Sequence, residues 1–378
     1  MDLTLPASAA PLRQAADTLV ADILEPTAAA LPPAEGAVPA GTAVAVHRRR
    51  FDLGLWGLSV PRALGGRGTG WLEQALVQER VQRSLPGLWS QGLWAWGEPP
   101  APLHAAVGAQ RAAFLAPCLV GTQVAHQLVV PSPAGPGAPG LACVPAGAGA
   151  VLSGRWPAVP AFQSRGLLVV IGELAGAPTG FLCDGGLGGY RVEHLRPGMG
   201  SVGLVDLVWG GCRLGPERIL TDVGGAAEAW RALQQVAYVG AGAVGAAARC
   251  LALGLDHARR RHTFGRPLAD RQAIQWMLAD GARELHAARL LLYQAASLAD
   301  GGDVAAAVRL AGPAKAYATD AACRIVDRML QVHGGYGYTR DLPLERFWRE
   351  LRFYRLAEGR NEDLAAGATA SLLEALDA

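Results

Sequence analysis

This chain carries no disulfide framework, no zinc motif and almost no lysine. Its six cysteines, Cys118, Cys143, Cys183, Cys212, Cys250 and Cys323, are scattered over 378 residues without one CxxC pair. That pattern argues against a metal ribbon or a stapled secreted module and fits a reducing compartment. His126 and His194 stand alone without metal-ligand spacing, so no metal is expected. The N-terminus, MDLTLPASAAPLRQAAD, lacks a basic stretch leading into an apolar core, so no secretory leader is read and a cytoplasmic location is expected. Formal charge is +2, from 34 basic and 32 acidic residues, too balanced for a chain that coats phosphate; nucleic acid is not expected as a partner. Lys315 is the only lysine, the other basic residues being arginine, and the pattern by itself assigns that bias no role. Residues 112–154 hold no charged side chain. Six prolines, from Pro117 to Pro145, break that window, which rules against a spanning helix and favours buried strands and tight loops, so no membrane partner is expected.

Half the composition is hydrophobic (51%) and 17% is charged, which excludes global disorder. The length predicts two or three domains. Residues 1–117 read as an N-terminal helical domain, with apolar residues at helical spacing in 11–31 and 71–83 and a turn-rich corner, FDLGLWGLSVPRALGGRGTG, between them. Trp89, Trp94 and Trp96 read as core or subunit contact. Residues 118–225 read as a middle β domain, because short apolar runs (AVLSG, LLVVIG, TGFLC, GYRVEHL, LVDLVWGG) alternate with Gly and Pro as antiparallel strands of a sandwich or barrel do. Residues 226–378 read as a C-terminal helical bundle, with helices near 226–258, 268–299, 303–330, 341–355 and 361–377. Asp303 reads as an N-cap, Gly334-Gly335 as a stop, and Pro313 as a kink. The fold class is thus multidomain α+β.

GAGAVG at 240–245 matches the dinucleotide fingerprint G-x-G-x-x-G. The fingerprint needs a strand before it and a second βα unit after it. Residues 226–239 look helical instead, so these glycines read as a small-residue face for close helix packing.

The chemistry concentrates in RHTFGRPLADRQAIQWMLAD (261–280) and QVHGGYGYTRDLPLERFWRELRFYRLAEGRNEDL (331–364). These segments resemble the acyl-CoA dehydrogenase family. Arg261, Phe264, Gly265, Pro267, Leu268 and Gln272 follow its R-x-x-F-G-x-P pattern. Gln331, Gly334, Gly335, Gly337 and Tyr338 follow its Q-x-x-G-G-x-G pattern, and Glu345, Arg346, Arg349 and Glu350 its charged stretch. Ala357-Glu358-Gly359-Arg360 stands where the family has its Tyr-Glu-Gly-Thr turn.

The resemblance implies an FAD-dependent α,β-dehydrogenation of an acyl thioester, acyl-CoA or acyl-carrier bound, with Glu358 as the catalytic base. It implies FAD contacts from Arg261, Thr263, Phe264, Leu268, Gln272, Gln331, Gly334, Gly335, Arg360 and Glu362. It also implies electron transfer to an electron-transfer flavoprotein, and a homodimer or homotetramer in which the Gln331 group reaches a neighbour's flavin nucleotide. The residue types suit those tasks. Arg261 is a permanent cation with a planar fork for pyrophosphate, Gln272 both donates and accepts, and paired glycines let backbone approach a nucleotide closely.

Some positions depart from the pattern. Ala357 replaces the aromatic residue before the base, Arg360 replaces a small hydroxyl residue, and Val236 stands where many members have arginine. In the middle region VVPSPAG (129–135) replaces a flavin-contacting motif, and Pro160 stands near an expected hydroxyl. These departures leave open a catalytically degenerate homologue serving as the structural subunit of a hetero-oligomer. Two further alternatives are a flavin monooxygenase and, from the stripe Arg346, Arg349, Arg352 and Arg355, a nucleic-acid-binding branch on the same fold.

Overall fold

The computed structural model describes residues 5–30, 40–84, 98–161, 166–199 and 203–376. Trp89, Trp94 and Trp96 therefore lie outside the described residues. The chain divides into two compact units. One contains Gly70–Leu88 and Arg231–Ala378 together with the N-terminal helix, and the other contains Ala37–Thr69 and Trp89–Trp230.

The first unit is helical. It comprises α1 (Ala9–Leu19), α3 (Trp71–Val81), α5 (Ala241–Arg260), α6 (Gln272–Asp300), α7 (Val304–His333), α8 (Leu344–Tyr354) and α9 (Asn361–Leu376). A π-helical stretch, Gln234–Gly240, leads into α5. Helix α3 is buried almost all round, as a central helix must be. Its first backbone donors, Trp71 N and Leu72 N, are taken by the Asp300 carboxylate at 2.6 and 3.1 Å, a cap supplied by the end of another helix. The Asp303 side chain accepts from Ala306 N at 3.0 Å and starts α7 as expected. Gly334, at φ 61°, ends it, and α7 continues through Pro313.

GAGAVG lies in helix, and its glycines are contact points. A Cβ on Gly245 would sit 2.1 Å from the Glu79 carbonyl oxygen of α3, and one on Gly240 2.4 Å from Leu292 of α6. The packing explanation for this motif holds. The stretch Gly224–Arg260 is long and apolar enough to cross a membrane, but 78% of its most apolar window is buried within the fold.

The second unit contains α2 (Ala40–Asp52), α4 (Gly224–Leu233) as far as Trp230, and the strands β1 (Ala125–Val129), β2 (Gly140–Ala146), β3 (Gly149–Pro160), β4 (Leu167–Leu174), β5 (Ala177–Cys183), β6 (Tyr190–Arg196), β7 (Leu204–Leu214) and β8 (Ile219–Leu220). They form sheets of order β1-β4-β5-β8 and β2-β3-β7-β6. Strand alternation explains the LLVVI run. Leu168 and Val170 face a core shared with Leu152, Leu207 and Trp209 of the other sheet. Leu167, Val169 and Ile171 face Leu103, Phe114 and Leu115 of the helical turns beside it. A strand buried on both faces reads as a continuous apolar run.

The pairing corrects the sequence reading in one respect. β1 runs parallel to β4, Ala125 opposite Leu167 and Val129 opposite Ile171, whereas antiparallel strands were expected. The hairpin β2–β3 between them belongs to the other sheet, so the chain returns by a crossover, and a crossover permits parallel pairing. Neither β1 nor β2 was picked out individually, although residues 112–154 as a whole were read as strands and tight loops. Both lie at sheet edges, where β2 tolerates the Pro145 that obscured it.

Candidate active site

The Glu358 turn joins α8 to α9. Glu358 is half-buried with φ 54°, and Gly359 follows at φ 112°. A non-glycine residue in the left-handed region persists only where its surroundings hold it there. Three side chains do so. Gln235 Nε2 donates to the Glu358 carbonyl at 2.8 Å. The buried ammonium of Lys315 donates to Gly359 O at 2.7 Å, Asn361 Oδ1 at 3.0 Å and Arg355 O at 3.3 Å. Asn361 Nδ2 donates in turn to Thr319 Oγ1 and Asp320 Oδ1, each at 2.9 Å, fastening the start of α9 to α7. Burial pushes the Lys315 ammonium down to about 8, against the opposing pull of Glu358, Asp320 and Glu362.

Lys315 and Gln235 were missed by sequence reasoning. The signal available for Lys315 was its uniqueness, a lone lysine among alanines on an otherwise apolar helical face. Gln235 carried no signal, since its partner is a backbone atom 123 residues away.

The second group sits where α5 turns into α6. Arg261 N donates to His257 O at 2.8 Å, closing α5. A two-residue hairpin follows, β9 (His262–Thr263) against β10 (Arg266–Pro267). Its tip is Phe264 at φ 48° and Gly265 at φ 76°, two positive values in succession, as a tight primed turn requires. Phe264 is 98% exposed. Arg271, which the sequence reading did not single out, holds the hairpin down. Its Nη2 donates to Thr263 O at 2.5 Å, and its guanidinium lies 5.7 Å from the Phe264 ring centre. Leu268 is half-buried beneath the hairpin, while Arg261 and Gln272 are exposed.

The third group, Gln331, Gly334 and Gly335, ends α7 and is exposed. A Cβ on either glycine would meet nothing within 4 Å, so the backbone there is open to close approach. His333, buried just before them, pairs its Nδ1 with Met329 O at 2.8 Å and stacks on His257 of α5 with ring centres 4.2 Å apart. That stack joins the ends of α5 and α7, so the second and third groups share one end of the bundle.

The Glu358 turn is elsewhere. Its anchor, Lys315, precedes His333 by 18 residues of α7, or about 27 Å at 1.5 Å per helical residue. Arg360 and Glu362 stay with Glu358. Arg360 is bound by Asp363 at 2.7 and 2.8 Å, and Glu362 accepts from Arg355 at 3.5 Å. In the other unit Pro160 ends β3 opposite Leu204, and the donor to Gly203 O comes from Ala161 at 2.7 Å.

The second and third groups fit a dinucleotide flavin by the chemistry of their donors. They offer an exposed planar ring with the Arg271 guanidinium against it, an exposed arginine at Arg261 and an exposed amide at Gln272, and a glycine pair with open backbone. Among the described residues no cluster of three or more His, Cys, Asp or Glu could hold a metal.

Residues 7–122 match the family description "Acyl-CoA dehydrogenase, N-terminal domain" and residues 215–370 match "Acyl-CoA dehydrogenase, C-terminal domain". A mitochondrial isobutyryl-CoA dehydrogenase of Dictyostelium discoideum is 42% identical over 121 residues, which are 32% of this chain and 29% of that protein. An (R)-benzylsuccinyl-CoA dehydrogenase of Thauera aromatica is 29% identical over 82% of this chain and 80% of its own length. The butyryl-CoA dehydrogenase of Megasphaera elsdenii has the same fold. Its structure aligns with a TM-score of 0.84 over 99% of this chain and 100% of that one, at 23% identity.

Proposed function

The chain belongs to the acyl-CoA dehydrogenase family, and from that premise we propose that it converts an acyl-CoA thioester to its α,β-enoyl form with Glu358 as the base. The carrying observation is the Glu358 turn, where a carboxylate is held in left-handed backbone by Gln235 and Lys315. FAD is the cofactor of the family. When bound, it supplies the two-electron acceptor for the hydride leaving Cβ. Glu358 takes the proton from Cα as the double bond forms, and its backbone N–H is suited to donate to the thioester oxygen, where enolate charge develops. Arg261 and Gln272 would hold the pyrophosphate and ring edge, with Phe264 against a flat face.

The rest of the reading follows from placement. The Gln331 group lies about 27 Å along α7 from the Glu358 anchor. This supports a dimer at least, in which that group and the Arg261 hairpin at the same end of the bundle together serve a neighbour's flavin. The 98% exposure of Phe264 and 87% exposure of Tyr338 support the same assembly, since apolar rings left in water are a cost that a partner relieves. An electron-transfer flavoprotein is the proposed acceptor of the electrons, and a cytoplasmic location suits six free thiols.

Freshly purified protein is expected to be yellow and to bleach anaerobically with an acyl-CoA. Glu358→Gln is expected to keep its flavin and lose about 10²- to 10⁴-fold in kcat. Colourless protein that takes up no FAD would overturn the dehydrogenase reading in favour of the structural-subunit homologue. Undiminished turnover in Glu358→Gln would remove the base assignment alone.

A further inference from the structure

Lys315 is fully buried, an expensive place for an ammonium unless each of its three N–H bonds finds an acceptor. The three acceptors are Gly359 O, Asn361 Oδ1 and Arg355 O, which straddle Glu358 on both sides. None is a carboxylate, so the positive charge is not cancelled where it binds. The guanidinium of Arg355 is paired with Asp320 at 2.5 Å and does not offer a second free cation to the turn. A neutral amide could staple two of these oxygens without the cost of burying a charge. The fold uses a cation instead.

We infer that Lys315 is the positioning residue of Glu358: its ammonium fixes the 355–361 turn and so places the Glu358 carboxylate to take a proton, with a buried positive charge at the same turn. The inference rests on Glu358 being the base. Coulombic coupling is mutual. Glu358 favours the charged lysine against burial, and the charged lysine favours the ionised glutamate by the same energy. The other charged groups around the lysine are Asp320 on α7 and Glu362 on α9, which favour its protonation, and Arg355 after α8, which opposes it. Gln235, reaching in from the π-helical stretch, is neutral. Burial dominates and brings the lysine to about 8, so the cation is present through neutral pH.

The test uses flavin-loaded Lys315→Met and Lys315→Arg. kcat and KM are measured against pH with an acyl-CoA, and trypsin cleavage after Arg360 is followed in loaded and flavin-stripped protein. Lys315→Met is expected to lose about 10²-fold in kcat, the scale of a reacting group displaced by about 1 Å, with little change in KM. The acid limb of its kcat profile is expected to move to higher pH, and the turn to be cut faster. Lys315→Arg, which keeps the charge, is expected to leave the acid limb in place. Should Lys315→Met not fold, Lys315→Gln, neutral but still a donor to the turn, carries the same expectation for the acid limb. An acid limb unmoved in the neutral variant, or turnover near that of the wild type, overturns the inference. An active Glu358→Gln would overturn the base reading beneath it, whereas an inactive Glu358→Gln beside an unaffected Lys315→Met overturns the positioning role alone.

Discussion

One substitution made at two glycines is expected to change stability in opposite directions. At Gly245 a methyl group would stand 2.1 Å from Glu79 O, 2.9 Å from its carbonyl carbon and 3.1 Å from its Cα. Real Cβ contacts essentially never fall below 3.0 Å, so α3 and α5 must part by nearly 1 Å. The obstacle is backbone and cannot rotate away. Nor is α3 free to retreat, because the Glu79 carboxylate is held by Arg289 Nη2 at 2.6 Å and Tyr293 Oη at 2.8 Å. Overpacking of this kind costs roughly 1–3 kcal/mol, and a backbone obstacle puts Gly245→Ala at or above the top of that range. The better helix propensity of alanine returns about 1 kcal/mol, leaving a net loss of about 2 kcal/mol. At Gly367 in α9 a Cβ would meet nothing within 4 Å, so Gly367→Ala is expected to gain about 0.5–1 kcal/mol. Urea unfolding followed by far-UV circular dichroism reads both. A Gly245→Ala protein as stable as the wild type would refute the packing argument. Loss of affinity for a dinucleotide without loss of stability would revive the fingerprint reading of GAGAVG.

Two pH effects should accompany these. The Lys315 ammonium keeps its proton to about 8 in the folded chain, against 10.5 ordinarily. Between those values the unfolded chain holds more protons, so stability rises with pH, by up to about 3 kcal/mol. Lys315→Met should lack that rise in urea midpoints measured across the window, and a rise of equal size would contradict it. Asp206, clamped by Arg155 and Arg196 and accepting from Ala158 N at 3.1 Å, has its carboxyl held below the usual range, chiefly by the Arg196 hydrogen bonds. Its contribution is therefore present above its ordinary 3.8 and fades as the solution becomes more acidic. Asp206→Asn should unfold at lower urea near neutrality and show a shallower decline in acid. An unchanged acid profile would discount the clamp.

Local patterns were legible to different depths. The FGRP tip was not read as a hairpin, although Gly265 marks the place, because its two successive positive φ values show only in the folded turn. Asp303 reads as a cap because its carboxylate reaches a donor three residues on. The bounds of β1 and β2 were not legible within the strand-and-loop reading of 112–154, since an edge strand needs neither a continuous apolar run nor freedom from proline. Arg271 was passed over because its partners, Thr263 O and the Phe264 ring, are brought back to it only by the folded hairpin.

The sequence alone determined the order of helical, sheet and helical segments and the helix ends at Asp303 and Gly334. These depend on residues within one or two turns of each other, where spacing and side-chain type act directly on the backbone. Tertiary structure decided that the lone lysine holds the Glu358 turn, that Gly245 meets α3 at Glu79, that β1 runs parallel to β4, and that the Gln331 and Glu358 groups stand at separate places along α7. Lys315 and Gly359 are 44 residues apart, and Gly245 and Glu79 lie on helices separated by the whole β region. Such pairs meet because burying apolar helix faces forces the backbones together, a constraint set by the packed whole and written in no single stretch of chain.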